Sequence, residues 1–401
     1  MPQCRKTELQ LVKKGVILMI IRNAMIHDAI HAKPYKGSLL IRDGKLVSVG
    51  EPAEEAGEEI FDAEGLQAYP GFVDAHSHIG LDDYGGPTGT THDYNELNDI
   101  CCPQLRGLDS YYAQDAAIPM ALAGGVTSVA AGPGSANVLG GTFLAVKMVG
   151  NTVEEAMLSP AVAMKCAFGE NPKRVYRDKC SSARMTTAAK LREMLFKTKE
   201  YMAKKAYAGD DISKMPPFDM KLEALIPVMK REIPLKAHAH RSDDIMTALR
   251  IAREFNLKIT LEHCTEGHLI VNELKAAGVP VAVGPSLTGA SKLELINKSW
   301  TTPGVLAQAG LQVSIITDAP VIPQEYLPLC AGLAVKAGMD PFMALQAITI
   351  NPARHIGMES RIGSLEAGKD ADIVLTDGDP LVSDTVVKAV FVNGIQRVSH
   401  K

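Results

Sequence analysis

The middle of this chain alternates apolar, β-branched segments with charged segments of helical periodicity, and this alternation restricts the fold more than any other feature. Strands that alternate with helices predict a parallel sheet with crossover helices. The alternation extends over about 280 residues, a size that suits an eight-unit barrel. We expect helices at 186–202 and 243–254, and strands at 71–76, 127–131, 161–168, 235–240, 258–263, 279–283 and 313–317.

An open, doubly wound sheet is the alternative, but the G-x-G-x-x-G fingerprint of a dinucleotide site does not follow the first of these strands. The sequence pattern is different near the start of the chain, where short apolar runs are separated by turns such as Asp43-Gly44. The same pattern occurs near the other end, at 372–377 and 386–394. We therefore predict an α/β protein with a (β/α)8 TIM-type barrel at 71–351 and a small β-sandwich domain formed by both termini, 1–70 and 352–401.

Composition excludes several classes of partner. The chain has 401 residues, a formal net charge of −4 and a pI near 6.3, so no basic surface for nucleic acid or for an anionic membrane is indicated. No apolar run approaches the ~20 residues that a membrane-spanning helix needs. The cysteines are scattered without a Cys-x-x-Cys pair, which favours a reducing cytoplasm. We interpret residues 1–18 as a poorly ordered leader, with Met19 as a possible start.

Polar residues end the predicted barrel strands, and they are of the kinds that bind metal ions. His76 and His78 end the first strand and point the same way, because strand residues two apart share a face. The later strands end in Glu170, in His238 and His240, in His263, and in Asp318. In a barrel, the carboxyl ends of the strands meet at one rim that holds the active site. We therefore predict a centre for one or two divalent ions, most simply zinc.

At these residues the sequence resembles the amidohydrolase superfamily, and it is most similar to the imidazolonepropionase-like branch. The tail motif that begins at 351–357 carries the resemblance to the superfamily, and the stretches 133–141 and 169–176 carry the closer similarity. The resemblance implies metal ligands after strands one, four, five and six, and an aspartate after strand eight. On this chain these positions imply the metal ligands His76, His78, Glu170, His238 and His263, with Asp318 as the catalytic base.

Two of these positions have alternatives. Many members of the superfamily use a carboxylated lysine after strand four, and Lys165 would be that residue here. Lys165 and Glu170 are separated by an odd number of positions, so in a regular strand their side chains point to opposite faces and cannot both enter the barrel. We favour Glu170, since it lies at the end of the strand. On strand five we favour His238 as the ligand and assign His240 to the metal or to the substrate.

Loops around the predicted rim contain candidates for contact with a substrate. The candidates are His92, Asn137, Arg184 and His268. Each of these residue types is also common as an ordinary loop, turn or helix-end residue.

Together these residues predict a metal-dependent amidohydrolase acting on a non-protein C–N bond of a small molecule. Suitable bonds are those of a cyclic amide, an N-acyl amine, a small peptide or a substrate for deamination. Metal-activated water would attack the carbon, with Asp318 as the general base. The alternatives are a non-catalytic homologue of the barrel, or an isomerase or decarboxylase on the same scaffold. We expect a cytoplasmic protein with a small-molecule substrate and no nucleic-acid or membrane partner; a homo-oligomer is possible.

Overall fold

A computed structural model describes residues 18–51, 59–84 and 93–400. His92, a predicted substrate contact, lies outside these residues, as does nearly all of the segment interpreted as a leader. Within the described ranges, no helix is both long enough and apolar enough to cross a bilayer.

The described chain forms two eight-stranded sheets and a series of helices. The strands are β1 Leu18–Ile26, β2 Tyr35–Arg42, β3 Lys45–Val49, β4 Glu59–Asp62, β5 Gln67–Pro70, β6 Phe72–Ser77, β7 Val126–Ala131, β8 Leu139–Lys147, β9 Met157–Ala167, β10 Leu235–Ala239, β11 Ile259–His263, β12 Val281–Val283, β13 Val313–Ile315, β14 Ile373–Thr376, β15 Val387–Val392 and β16 Ile395–Ser399. The α-helices are α1 Ala117–Ala123, α2 Val153–Ala156, α3 Glu170–Val175, α4 Arg184–Ala208, α5 Met220–Met229, α6 Ser242–Glu254, α7 Val271–Ala277, α8 Thr302–Gln308, α9 Leu327–Lys336, α10 Pro341–Gln346 and α11 Ile350–His355.

Eight consecutive strands, β6 to β13, form the barrel sheet in chain order. Residues 347–348, between α10 and α11, link the two edges of this sheet: the Val73 N–H of β6 donates to the Ile348 carbonyl, and the Ile315 N–H of β13 donates to the Ala347 carbonyl, each at 2.8 Å. Just beyond the two strands, the His78 N–H donates to the Ala319 carbonyl at 2.7 Å. The predicted barrel is therefore confirmed, in a nearly closed form.

One strand of the barrel differs from the predicted pattern. β8 runs antiparallel to both β7 and β9, and it was not among the predicted strands. Its first residues include Gly140-Gly141, a pair that reads as a turn in the sequence. No helix separates β7 from β8. The alternation of strands and helices is interrupted here, and periodicity alone could not place the strand.

Strands from both ends of the chain form the second sheet, in the order β16-β15-β14-β5-β1-β2-β3, with β4 also paired to β1. The two ends meet where β5 pairs antiparallel with β14, which sets Tyr69 opposite Val374. Apolar side chains from both ends, such as Ile21, Ile41 and Phe391, share one core. The separate terminal β-structure is thus confirmed. Its boundary at residue 351 stays a prediction, and that residue lies within α11.

A buried network of ion pairs connects the barrel to the segment that leads into β14. Lys147, the last residue of β8, lies 2.8 Å from Asp370 and 3.0 Å from Asp372. All three side chains are almost completely buried. Lys45 and Arg361 also contact Asp370. β8 therefore has a second role, because its last side chain ties the barrel to the terminal segment.

Candidate metal centre

The carboxyl ends of the barrel strands bring five histidines and Asp318 together at one rim. His76, His78 and Asp318 form one group whose potential ligand atoms lie within 4.8 Å of one another. A second group with the same spacing consists of His238, His240 and His263. The ring centroids of His76 and His263 are 5.0 Å apart, so the two groups adjoin. We call the five histidines the rim histidines.

Backbone conformation at two strand ends helps to direct side chains to this rim. Glu262 and His263 are neighbours on β11, and in a regular strand their side chains would point to opposite faces. His263 instead has a φ angle of 71°, and Asp318 has one of 55°. Positive φ is uncommon in residues other than glycine, and it is concentrated at functional sites. The left-handed turn lets β11 present both Glu262 and His263 to the barrel interior.

Every rim histidine uses its Nδ1 atom for a contact outside the two groups. The Nδ1 contacts are His76 to Glu262 at 3.0 Å, His78 to the Gly132 carbonyl at 2.7 Å, and, each at 2.8 Å, His238 to Ser135, His240 to Thr265 and His263 to the Gly284 carbonyl. The Nε2 atoms of His76 and His78 lie 3.4 and 3.3 Å from Asp318. Among the described residues, the buried Nε2 atoms of His238 and His263 have no hydrogen-bond partner. Metal-ligating imidazoles are held in this way, with one nitrogen bonded outward and the other free.

The surroundings of these side chains shift their pKa values toward the protonation states of metal ligands. Burial lowers the pKa of His263 to about 4, and it holds the pKa of His76, His238 and His240 well below the usual value. Burial alone would raise the pKa of Asp318, but the nearby imidazoles, His263 foremost, outweigh it and lower that pKa. Near pH 7 these four histidines therefore offer neutral imidazoles and Asp318 offers an ionised carboxylate, the forms that divalent cations require.

Lys165, rather than Glu170, reaches the rim histidines. The Lys165 side chain is fully buried in β9, and its Nζ atom lies 3.2 Å from Nε2 of His76. Burial lowers the pKa of this lysine to about 8. β9 ends at Ala167, and Glu170 begins α3 after Gly169, which has a φ angle of 82°. Glu170 belongs to neither ligand group, so of the two candidates the structure brings Lys165 into contact with a rim histidine.

The other predicted substrate contacts that the structure describes have partners other than the rim histidines, although Arg184 lies 3.6 Å from Glu294, which is itself 3.9 Å from His240. These residues are Asn137, Arg184 and His268. Their partners are the carbonyls of Glu96 and Asp99, each 2.8 Å from Asn137, together with Asp244 at 2.9 Å from Arg184 and Thr302 at 2.9 Å from His268. None of the three lines the cavity at the rim. Their described contacts are those of loop and helix-end residues.

A cavity of about 950 Å³ opens above the rim histidines. His78, His238, His240 and Asp318 contribute to its lining. The ring of Tyr94 stacks on His78, with centroids 4.9 Å apart and an angle of 11° between the planes. A cavity of similar volume, about 940 Å³, lies at the amino-terminal ends of the barrel strands and contains none of the rim histidines. The cavity at the rim is therefore the one that combines space for a small molecule with the potential ligands.

Comparison with known proteins agrees with this geometry. A sequence profile described as the amidohydrolase family matches residues 68–396. The chain belongs to the amidohydrolase family. A solved amidohydrolase from Thermotoga maritima MSB8 is 41% identical, with a TM-score of 0.92 over 95% of this chain and 100% of that one.

The matches to two curated relatives cover most of this chain. An amidohydrolase of Hapsidospora irregularis is 30% identical over 89% of the chain, but the match spans only 39% of that longer protein. A 5′-deoxyadenosine deaminase of Methanobrevibacter smithii is 24% identical over 90% of this chain and 84% of its own length. An imidazolonepropionase of Thermoplasma volcanium is 30% identical over 40% of each protein. These findings confirm the predicted family, and with it the class of metal-dependent hydrolases acting on C–N bonds.

Sequence reasoning missed a buried ionic cluster inside the barrel of this amidohydrolase. Its centre is Glu262, which contacts His76, Lys236 and His355. Burial alone would raise the pKa of Glu262, but Lys236 and His355 outweigh it and hold that pKa well below its usual value. Lys236 lies two residues before His238 on β10, so the two side chains share a face of the strand. This spacing in the sequence indicates part of the cluster. His355 gives no such signal, since it lies on α11, far along the chain.

Proposed function

We propose that this chain hydrolyses a C–N bond of a small molecule at a metal centre on the barrel rim. The proposal rests on one observation, the common orientation of the rim histidines. Their Nδ1 atoms are all bonded outward, Nε2 of His76 and His78 lies near Asp318, and the buried Nε2 atoms of His238 and His263 have no partner among the residues that the structure describes. The donor set fits zinc, which prefers neutral imidazole together with carboxylate oxygen, and we propose zinc as the resident ion. The residues that would hold it are His76, His78, His238, His263 and a ligand from β9.

We propose Lys165, after carboxylation, as the ligand from β9. Its support is the 3.2 Å distance between Nζ of Lys165 and Nε2 of His76, together with full burial. In carboxylation the neutral amine attacks carbon dioxide, a C–N bond forms, and one proton leaves, so that the product is an anionic carbamate. A carbamate has two oxygens and can supply one ligand to each of two ions, and we propose a two-ion centre.

The described residues around the site have separate tasks in the proposed hydrolysis. When bound, a divalent ion supplies Lewis acidity, which lowers the pKa of water toward ~7. Asp318 is ionised, lines the cavity and accepts a proton from the attacking water. Protonated Asp318 then returns that proton to the leaving nitrogen. His240 also lines the cavity, with its Nδ1 atom held by Thr265, and we assign it to contact with the substrate.

The experiment that tests this function measures metal content and turnover in the same samples. Protein stripped with a chelator is reloaded with Zn²⁺, Mn²⁺ or Co²⁺ and assayed on cyclic amides, N-acyl amino acids, dipeptides and aminopurines. We expect metal-dependent release of an amine or of ammonia. A protein that binds no divalent ion would indicate a non-catalytic homologue. Turnover without release of amine or ammonia would indicate an isomerase or decarboxylase.

Further parts of the proposal concern the whole protein. We propose a cytoplasmic protein that forms a homo-oligomer, with 1–70 and 352–401 as one domain and 71–351 as the barrel domain. The scattered cysteines, unpaired in the part of the chain that the structure describes, support the cytoplasmic location. The family resemblance supports the oligomer. Light scattering coupled to gel filtration measures the oligomeric state, and a monomeric mass would reject that part.

A further inference from the structure

The carboxylate of Glu262 lies next to the metal centre but belongs to neither ligand group. Its side chain is completely buried, and both of its oxygens are fully engaged. Oε2 lies 3.0 Å from Nδ1 of His76 and 2.8 Å from Nζ of Lys236. Oε1 lies 2.8 Å from Nε2 of His355 and 2.7 Å from the Thr260 hydroxyl. A charged group is expensive to bury, so a carboxylate with this many partners requires an explanation.

One consequence of this contact concerns the tautomer of His76. An ionised carboxylate only accepts hydrogen bonds, so Nδ1 of His76 must carry the proton and Nε2 must present its lone pair. Among the five rim histidines, only His76 has an Nδ1 partner that is a charged side chain; the others meet carbonyl or hydroxyl oxygens. A carboxylate behind an imidazole also raises the basicity of the nitrogen that faces the metal.

The partners of Glu262 keep the carboxylate in place without using the metal. Nζ of Lys236 donates both to Glu262 and to the Ala75 carbonyl, 2.8 Å away, and so ties β10 to β6. His355 reaches Glu262 from α11, and it also lines the cavity at the amino-terminal ends of the strands. A chain of contacts therefore runs from that end of the barrel through His355 and Glu262 to His76.

We propose that Glu262 is a positioning residue for the metal centre. It fixes His76 as the tautomer that binds metal and strengthens it as a ligand, and His355 holds Glu262 in the orientation that this requires. This inference rests on the proposed metal function. It makes α11, an element that provides no ligand, a determinant of metal affinity.

The first test compares metal dissociation constants, measured by competition with a chromophoric chelator, and visible spectra of the Co²⁺-loaded proteins. We expect Glu262→Gln to weaken metal binding by about 10- to 100-fold and to change the Co²⁺ spectrum. His355→Ala should weaken binding in the same direction, and His355→Gln, whose amide can donate to Glu262, should restore part of the loss. The matched control is Thr260→Val, which removes a neutral donor from the same carboxylate and should change affinity by less than about threefold.

A second measurement reports the tautomer of His76 directly. Nitrogen–proton correlation spectra of metal-free protein labelled with ¹⁵N-histidine report which ring nitrogen carries the proton, and His76→Gln assigns the signal. We expect the proton of His76 on Nδ1. A proton on Nε2 of His76 would overturn the inference, as would an unchanged dissociation constant in folded Glu262→Gln.

The outcomes separate this inference from the function on which it rests. Wild-type protein that binds no divalent ion would overturn both. Wild-type protein that binds metal tightly, beside a Glu262→Gln variant that binds it equally well, would overturn the positioning role alone.

Discussion

Two carboxylates at the candidate metal centre differ in their surroundings. Asp318 keeps 15% of its side chain exposed and lines the cavity, with imidazole Nε2 atoms 3.3 to 3.4 Å away. Glu262 has no exposure and is neutralised by a lysine. When two carboxylates have such different surroundings, the accessible one can exchange protons with a substrate, and the enclosed one can hold neighbouring side chains in place. Asp318 is accordingly the residue whose removal should stop chemistry without removing metal.

We predict that Asp318→Asn lowers kcat by about 10²- to 10⁴-fold, because the amide cannot accept the proton of the attacking water. Metal content should stay near that of the wild type, since the rim histidines remain. Steady-state kinetics and elemental analysis of the same preparation check both parts. Turnover near the wild-type value in the metal-loaded variant would remove Asp318 from the mechanism.

A second prediction at this scale compares Lys165 with Glu170. Lys165→Ala should lose metal and nearly all activity, because the proposed carbamate cannot form. Added short-chain carboxylates should restore part of the activity, since a free carboxylate can occupy the space of the missing side chain. Glu170→Gln is the matched control and should keep both metal and activity. Loss of metal in Glu170→Gln, with metal retained in Lys165→Ala, would reverse the assignment.

At the scale of strands and helices, the sequence predicted what regular alternation determines. The shared face of His76 and His78 around the end of β6, and of His238 and His240 around the end of β10, follows from period-two geometry, and each pair lies within one ligand group. Alternation does not show where β9 ends and α3 begins, and the choice between Glu170 and Lys165 depends on that boundary. Nor could it foresee the positive φ of His263, which breaks strand parity at the rim. These exceptions depend on tertiary contacts, which a single sequence does not display.

β8 supports a prediction about stability. Lys147→Met would remove the buried cation beside Asp372, while Asp370 would keep Lys45 and Arg361, so we expect the free energy of unfolding to fall by about 3–5 kcal/mol. Lys388→Met on β15 is the control, because its pair with Asp377 is partly exposed at 3.4 Å and should contribute less than about 1 kcal/mol. Chemical denaturation of both variants measures the difference. Equal effects would show that the buried network does not stabilise the junction.

At the scale of the whole molecule, the proposed ligands come from strands spread along the barrel sheet, between His76 and Asp318. Fold and centre could be predicted together because the carboxyl ends of barrel strands share one rim. Glu262, Lys236 and His355 were harder to foresee, since they lie inside the barrel and the last of them is far along the chain. A ligand held by so many elements binds only the folded barrel, and metal binding should therefore stabilise the whole protein.

We predict that zinc at about 100 times its dissociation constant adds about 2.7 kcal/mol to the free energy of unfolding and raises Tm by several degrees. Differential scanning calorimetry with zinc, and then with excess chelator, measures the change. His238→Ala should show a much smaller rise, because one ligand is lost. An identical Tm for zinc-loaded and metal-free wild type would argue against a centre shared by several strands.

The pairing of β5 with β14 also constrains the order in which the protein can be completed during synthesis. β5 is translated before the barrel strands, but its partner β14 is translated after them. While the barrel is being made, β5 therefore lacks this partner and has an open strand edge, and open edges invite mispairing between chains. Metal loading must also wait, since Asp318 and His355 emerge only after the rest of the barrel. The terminal sheet and the proposed metal centre should thus be completed late, once the barrel and β14 have both been made.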